Sequence, residues 1–185
     1  MSVSIDQAQS ILISSRCLHD KNAVEAALDK MADEITAKLA DKNPLILCVL
    51  TGAIIPMGHL LTRLNFALEI DYIHATRYRG ETAGAELQWK AKPSASLKGR
   101  VILIIDDILD EGHTLKGIIE YLHMQETSEI YSAVLVEKHH DRRVSGLSAD
   151  FVGLDVDDHY VFGYGMDYKG YLRNAPGIYA VTEQS

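Results

Sequence analysis

Long hydrophobic runs, a surplus of basic residues and a cysteine framework are all missing from this 185-residue chain. No stretch approaches the roughly 18 apolar residues of a membrane-spanning helix, so no span is expected. Eighteen Lys and Arg stand against 26 Asp and Glu, a formal net charge of −8, and no basic cluster stands out. A nucleic-acid-binding surface is therefore not expected, because phosphate backbones demand concentrated positive charge. An acidic protein can still bind a phosphorylated small molecule through backbone N–H groups and bridging metal ions, which no Lys/Arg count reveals.

Cysteine is scarce. Cys48 falls inside the apolar run 45–50 and reads as a small buried hydrophobe, while Cys17 lies in an early segment; the sequence leaves a bridge between them open. Two cysteines behind an N-terminus with neither a basic n-region nor an apolar h-region fit a reducing, cytoplasmic setting. Only four prolines occur, and there is no repeat, low-complexity tract or Gly/Ser linker. What remains, 47% hydrophobic and 24% charged, is an ordinary globular composition. The length suits one domain able to bury about two-thirds of its unfolded surface.

Residues 1–20 read as irregular. Asn22 is the expected cap of a helix to about residue 40, with Val24, Ala27, Leu28, Met31, Ile35 and Leu39 on one face. The apolar runs 45–50, 101–105 and 130–136 suit strands buried on both faces. Further strands are expected at 67–75, 86–92, 151–154 and 178–181, with helices at 54–64 and from 114 or 115 to about 124. Residues 78–84 are polar, carry two glycines and read as a mobile loop. Strands alternating with helices predict an α/β fold with a mostly parallel sheet covered on both faces. The turns after 50, 105 and 136 should then share one rim, where such sheets bind ligands.

The most informative stretch is Val101-Ile102-Leu103-Ile104-Ile105-Asp106-Asp107-Ile108-Leu109-Asp110-Glu111-Gly112-His113-Thr114. Five apolar residues run into two adjacent carboxylates, which can accept hydrogen bonds from sugar hydroxyls or face a divalent cation. Residues 106–113 read as a tight polar turn, and 110–114 feed a helix whose free N–H groups and dipole suit a phosphate. Gly112 lets the backbone approach, and Thr114 adds a hydroxyl donor. An acidic turn with ordinary caps is the plainer reading of a lone Asp-x-Gly-x-Thr. The whole strand-to-helix arrangement is more specific.

This stretch resembles the phosphoribosyl-pyrophosphate motif of type I phosphoribosyltransferases, and the likeness runs from about residue 45 to 173, toward the hypoxanthine-guanine phosphoribosyltransferase branch. The resemblance implies the type I fold: a central mostly parallel sheet flanked by helices (core about 22–150), a small hood from the N-terminal residues and about 151–185, and a flexible lid loop. It implies a magnesium-dependent transfer of the phosphoribosyl group from phosphoribosyl pyrophosphate to a 6-oxopurine. Asp106 and Asp107 would hold the ribose hydroxyls, and with Asp167 would face magnesium. Asp110 would be the catalytic base. Asp110, Glu111, Gly112, His113 and Thr114 would cradle the 5′-phosphate. Thr51 and Gly52 would form the pyrophosphate loop, where the family often has a cis peptide, and Arg173 would grip pyrophosphate. Lys138 would donate to the 6-oxo group, Tyr160 would stack on the purine and Val161 would read its edge through the backbone. A homodimer or homotetramer is implied as well.

The chain departs from the family where Glu111 follows the third Asp, where His113 replaces a more usual polar residue, and where Arg77-Tyr78 opens the lid. Glu111 is expected to point away from the phosphate, and Arg77 is expected to add positive charge over the pyrophosphate. Without the resemblance, Lys138 belongs to the charged run 137–143 and reads as a solvated loop residue. His139 and His140 read as surface, since two adjacent histidines alone are weak evidence for a metal. Tyr160, Phe162 and Tyr164 alternate as packing residues would, Tyr168 and Tyr171 read as packing, and Trp89 as packing near the lid or a subunit contact. Competing readings are a nucleotide-binding transcriptional regulator on the same fold and a phospho-receiver domain. The first lacks a DNA-binding motif, and the second places its acidic pair near the start of its fold. Among enzymes, Lys138 favours a 6-oxo base over adenine, while xanthine-guanine preference stays open.

Overall fold

The computed structural model describes residues 3–77 and 87–182, with the backbone but not the side chain of Arg77. The order is α1 (Ile5–Ser14), β1 (Arg16–His19), α2 (Lys21–Leu39), β2 (Leu45–Val49), α3 (Ile54–Leu61), β3 (Glu69–Arg77), β4 (Leu87–Ala91), β5 (Val101–Leu109), α4 (His113–Met124), β6 (Glu129–His139), β7 (Phe151–Asp157), β8 (Val161–Phe162) and β9 (Ile178–Ala180). A six-stranded sheet runs β4-β3-β2-β5-β6-β7, and a three-stranded one runs β1-β9-β8. In the large sheet every pairing is parallel except that of the edge strand β4 with β3. This is the α/β architecture that strand–helix alternation predicts. Among the described residues no helix is long and apolar enough to cross a membrane.

Leu45, Ile46, Leu47, Ile102, Leu103 and Ile104 are fully buried in the central strands. Helix α2 covers β7 with the stripe Val24, Ala27, Leu28, Met31, Ile35 and Leu39. Each fully buried Leu or Ile there stabilises by roughly 1.5–3 kcal/mol relative to exposure. The cap of α2 is Asp20 and not Asn22: the Ala23 N–H donates to Asp20 Oδ1 at 2.9 Å. The first 20 residues are not irregular either. Ser4 and Gln7 close a capping box on α1, and β1 pairs antiparallel with β9. Both cysteines are free, Cys17 exposed and Cys48 buried.

Two strands run further than their apolar cores. β5 keeps its pairing with β6 through Ile108↔Val136 and Leu109↔Glu137, so Asp106 and Asp107 ride in a strand and the turn begins only at Asp110. β6 continues through Lys138↔Val156 and His139↔Asp157, which takes Lys138 out of the solvated loop expected from its charged neighbours. Ladder hydrogen bonds to a neighbour outweigh local polarity in both places.

The strand order reverses between β2 and β5: β2 leads to β3 on one side, and β5 leads to β6 and β7 on the other. Parallel sheets open a crevice beyond the carboxyl ends of the strands at such a reversal. Pairing of β2 with β5 stops at Cys48↔Ile105. Asp106 and Asp107 therefore stand past the end of β2, and both reach the crevice although successive strand residues face opposite ways.

Candidate active site

A cavity of about 410 Å³ fills that crevice, lined by Leu50 and Gly52 after β2, by residues 106–115, and by Asp167 and Arg173. The Leu50–Thr51 peptide is cis. Gly52 is required by space: a Cβ there would lie 1.9 Å from Asp107 Oδ2. Gly165, at φ +110°, closes over the same loop, and its Cβ would meet the Gly52 carbonyl oxygen at 2.1 Å. Thr51 itself is exposed and does not line the cavity.

Asp106 Oδ1 accepts from the Asp107 N–H, and Asp107 Oδ1 from the Ile108 N–H, each at 2.9 Å. Burial, then the neighbouring Asp107 charge, pushes the Asp106 carboxyl well above the usual range. Burial raises Asp107 as well, against the pull of Arg173, whose Nη1 lies 3.9 Å from Asp107 Oδ2. Arg173 also donates to the Gly165 carbonyl at 2.5 Å and to Asp167 Oδ1 at 2.6 Å. Asp167 Oδ2 accepts from the Gly170 N–H at 2.7 Å.

Beyond Leu109 the chain turns through Asp110, Glu111 and Gly112 into α4. Gly112 has φ +87°, left-handed, and a Cβ on it would strike Leu147 at 2.3 Å. His113 and Thr114 open the helix, whose first-turn N–H groups have no partner within it. The Glu111 carbonyl accepts from the Val144 N–H at 2.9 Å, and its carboxylate lies 3.7 Å from the His113 imidazole.

A second cavity, about 200 Å³, is lined by Asp107, Ile108, Asp110, Lys138, Tyr160, Val161, Met166 and Asp167. Four of these residues, Asp107, Ile108, Asp110 and Asp167, line the first cavity too, so the two adjoin there. Tyr160 is 51% exposed, and its ring meets Tyr168 edge-on with centroids 5.6 Å apart. Lys138 Nζ donates to Asp110 Oδ2 at 3.0 Å. His140 Nε2 lies 2.5 Å from Asp110 Oδ1. Burial raises the Asp110 carboxyl, but the hydrogen bonds from His140 and then Lys138 outweigh it and hold the group below its ordinary value.

The structure thus gathers Gly52, Asp106, Asp107, Asp110, Glu111, Gly112, His113, Thr114, Lys138, Tyr160, Val161, Asp167 and Arg173 around two adjoining cavities. Tyr78 and the rest of the expected lid lie outside the described residues, as does the side chain of Arg77. Sequence reasoning missed Gly165, Met166 and, above all, His140. Read as surface, His140 has a side chain only 3% exposed, against 57% for His139. The period-2 alternation of β6, carried past Lys138, was the signal for it.

A short sugar phosphate suits the larger cavity: carboxylates for hydroxyls, and amides at a helix start for a phosphate. A flat ring with a carbonyl suits the smaller one, between Tyr160 and the Lys138 ammonium. Known proteins resemble this chain in sequence and fold. Residues 14–169 match the phosphoribosyl transferase domain family. The chain is 31% identical over 168 residues to a hypoxanthine-guanine-xanthine phosphoribosyltransferase of Tritrichomonas foetus, covering 91% of this chain and 92% of that one. It is 32% identical to the hypoxanthine-guanine phosphoribosyltransferase of Bacillus subtilis, covering 88% and 91%. A solved hypoxanthine phosphoribosyltransferase of Staphylococcus aureus superposes with a TM-score of 0.85 at 28% identity, covering 90% of this chain and 91% of that one. The chain belongs to the phosphoribosyl transferase domain family and, within it, to the hypoxanthine-guanine phosphoribosyltransferases.

Proposed function

We infer that this chain transfers the 5-phosphoribosyl group from phosphoribosyl pyrophosphate to hypoxanthine or guanine, giving IMP or GMP and pyrophosphate. One observation carries the reading: the two cavities meet at Asp107–Asp110, so a sugar seated in one presents its anomeric carbon to a ring in the other. Asp106 and Asp107 take the ribose hydroxyls. The first turn of α4, with Thr114, takes the 5′-phosphate. The loop at Thr51 and Gly52, with Arg173, faces the pyrophosphate. Lys138 donates to the 6-oxo group, Tyr160 stacks on the purine and Val161 meets its edge.

As the C1–O bond to pyrophosphate breaks, the sugar gains oxocarbenium character, as in glycoside cleavage. A purine ring nitrogen forms the new bond to C1, and Asp110 accepts the proton from N7.

Magnesium fits the residues present. Asp106 and Asp107 are adjacent, partly buried carboxylates whose crowding a cation would relieve. Among the described residues no cluster of three or more His, Cys, Asp or Glu is gathered for a metal. An all-protein cage is not what magnesium needs, since it takes one or two carboxylates together with substrate oxygens and water. Bound there, it would supply charge stabilisation for the leaving pyrophosphate. Asp167 would join it only by leaving Arg173. A cytoplasmic homodimer or homotetramer is the assembly that goes with this reading.

The test is pyrophosphate release with donor, magnesium and each of hypoxanthine, guanine, xanthine and adenine. Turnover is expected with hypoxanthine and guanine and not with adenine, because the Lys138 ammonium donates to a carbonyl and repels an exocyclic amine. No turnover with any 6-oxopurine, or adenine turned over as fast as guanine, would overturn the reading.

A further inference from the structure

Asp110 is held at both oxygens, and its two partners differ in kind. Lys138 lines the purine cavity; His140 lines neither cavity. The His140 ring is buried, and both its nitrogens are engaged. The Arg142 backbone N–H donates to Nδ1 at 3.1 Å. A ring nitrogen that accepts from a main-chain amide carries no proton in the neutral tautomer, which places the ring proton on Nε2, 2.5 Å from Asp110 Oδ1. Arg142 is itself fixed, its guanidinium meeting both carboxylate oxygens of Asp158 at 2.8 Å. The imidazole is therefore set in orientation and tautomer by groups that a purine does not touch.

Lys138 has two claims on it. It donates to Asp110 Oδ2 at 3.0 Å, and in the function proposed above it must donate to the purine carbonyl. When Lys138 turns to the carbonyl, Oδ2 is released, and that is the oxygen available to the purine N–H. A half-exposed carboxylate left with no other partner would be free to rotate.

We propose that His140 is a positioning residue: it anchors Asp110 through Oδ1 while an arriving purine draws Lys138 off Oδ2, leaving Oδ2 to take the proton. The inference rests on the phosphoribosyl-transfer reading. His140 is thereby set apart from the chain's other seven histidines, since it acts on the reaction without touching substrate.

The experiment is a double-mutant cycle in steady-state kinetics with guanine and donor: the unaltered enzyme, His140→Phe, Asp110→Asn and both together. His140→Phe should lower kcat roughly 10- to 100-fold, as expected for loss of a hydrogen bond to a charged group. The donor KM should stay within about twofold, because the donor pocket is untouched. In the Asp110→Asn background the same change should cost less than about threefold, since the residue it acts through is already disabled. His140→Gln, which keeps an N–H donor, should recover most of the rate. An equal loss in both backgrounds, or His140→Phe within twofold of the unaltered kcat, overturns the proposal. Should His140→Phe not fold, His140→Gln against His140→Met makes the same comparison, and equal rates overturn it. A different failure, no turnover by the unaltered chain, removes the functional reading itself.

Discussion

Asp107 and Asp110 stand three residues apart at the end of one strand, and their surroundings drive them in opposite directions. Burial pushes Asp106 and Asp107 up, and among the described residues the cation that meets the pair, Arg173, stays 3.9 Å from Asp107. Burial also acts most strongly on Asp110, yet two hydrogen bonds reverse its effect. The difference lies in β6: it pairs with β5 as far as Leu109↔Glu137, and Lys138 near its end and His140 just beyond it both reach Asp110. Buried charge is costly unless paired. The acid pair is thus a region whose need for positive charge or hydroxyl donors falls to its ligand. At Asp110 the protein meets that need itself, and there a preset proton acceptor is useful.

If the two regions have these separate tasks, substitutions should separate them too. The largest effect is expected from Asp110→Asn: kcat for guanine falling about 10²- to 10⁴-fold, the usual share of a general base, with the donor KM within about threefold. Steady-state kinetics decide this, and an unchanged turnover number would remove Asp110 from the chemistry. Next in size is Gly52→Ala. The added Cβ would lie 1.9 Å from Asp107 Oδ2, so the carboxylate must give way by about an ångström. A displacement of that size costs about 10²-fold when a positioned group is involved. The loss should appear in kcat/KM for the donor, and donor kinetics like those of the unaltered chain would break the comparison at its acid-pair end.

Much of this site is legible in the sequence because strand ends are. The run from Val101 to Ile105 marks a buried strand, so the acids and the glycine that follow it have to stand at its carboxyl end, where α/β sheets bind ligands. Gly112 and Thr114 mark the helix start in the same way. Less legible was anything decided by pairing between distant strands. Nothing local to Asp106 and Asp107 shows that β5 stays extended through Leu109; β6 keeps it so. The run 137–143 has the composition of a loop, and only its ladder with β7 turns Lys138 inward. His140 escapes notice because its partner is 30 residues away. The α1–β1 segment is likewise ordered by β9, near the other end of the chain.

The smallest effect follows from the sign of the Asp110 shift. Its carboxyl titrates lower in the folded chain than the ordinary value of 3.8, so the unfolded chain takes up its proton first as the solution is acidified. The contribution of Asp110 to stability is then complete above the unfolded value and is lost as pH falls through the lower, folded one. Asp110→Asn removes that contribution at every pH. Its melting temperature should lie below that of the unaltered chain at pH 7, and the gap should narrow between about pH 5 and pH 3. The effect is small because the Asp110 side chain is 44% exposed, so water screens the carboxylate. A gap that stays constant, or widens in acid, would mean that Lys138 and His140 do not favour the charged form, and Asp110 would then differ from its two neighbours in position alone.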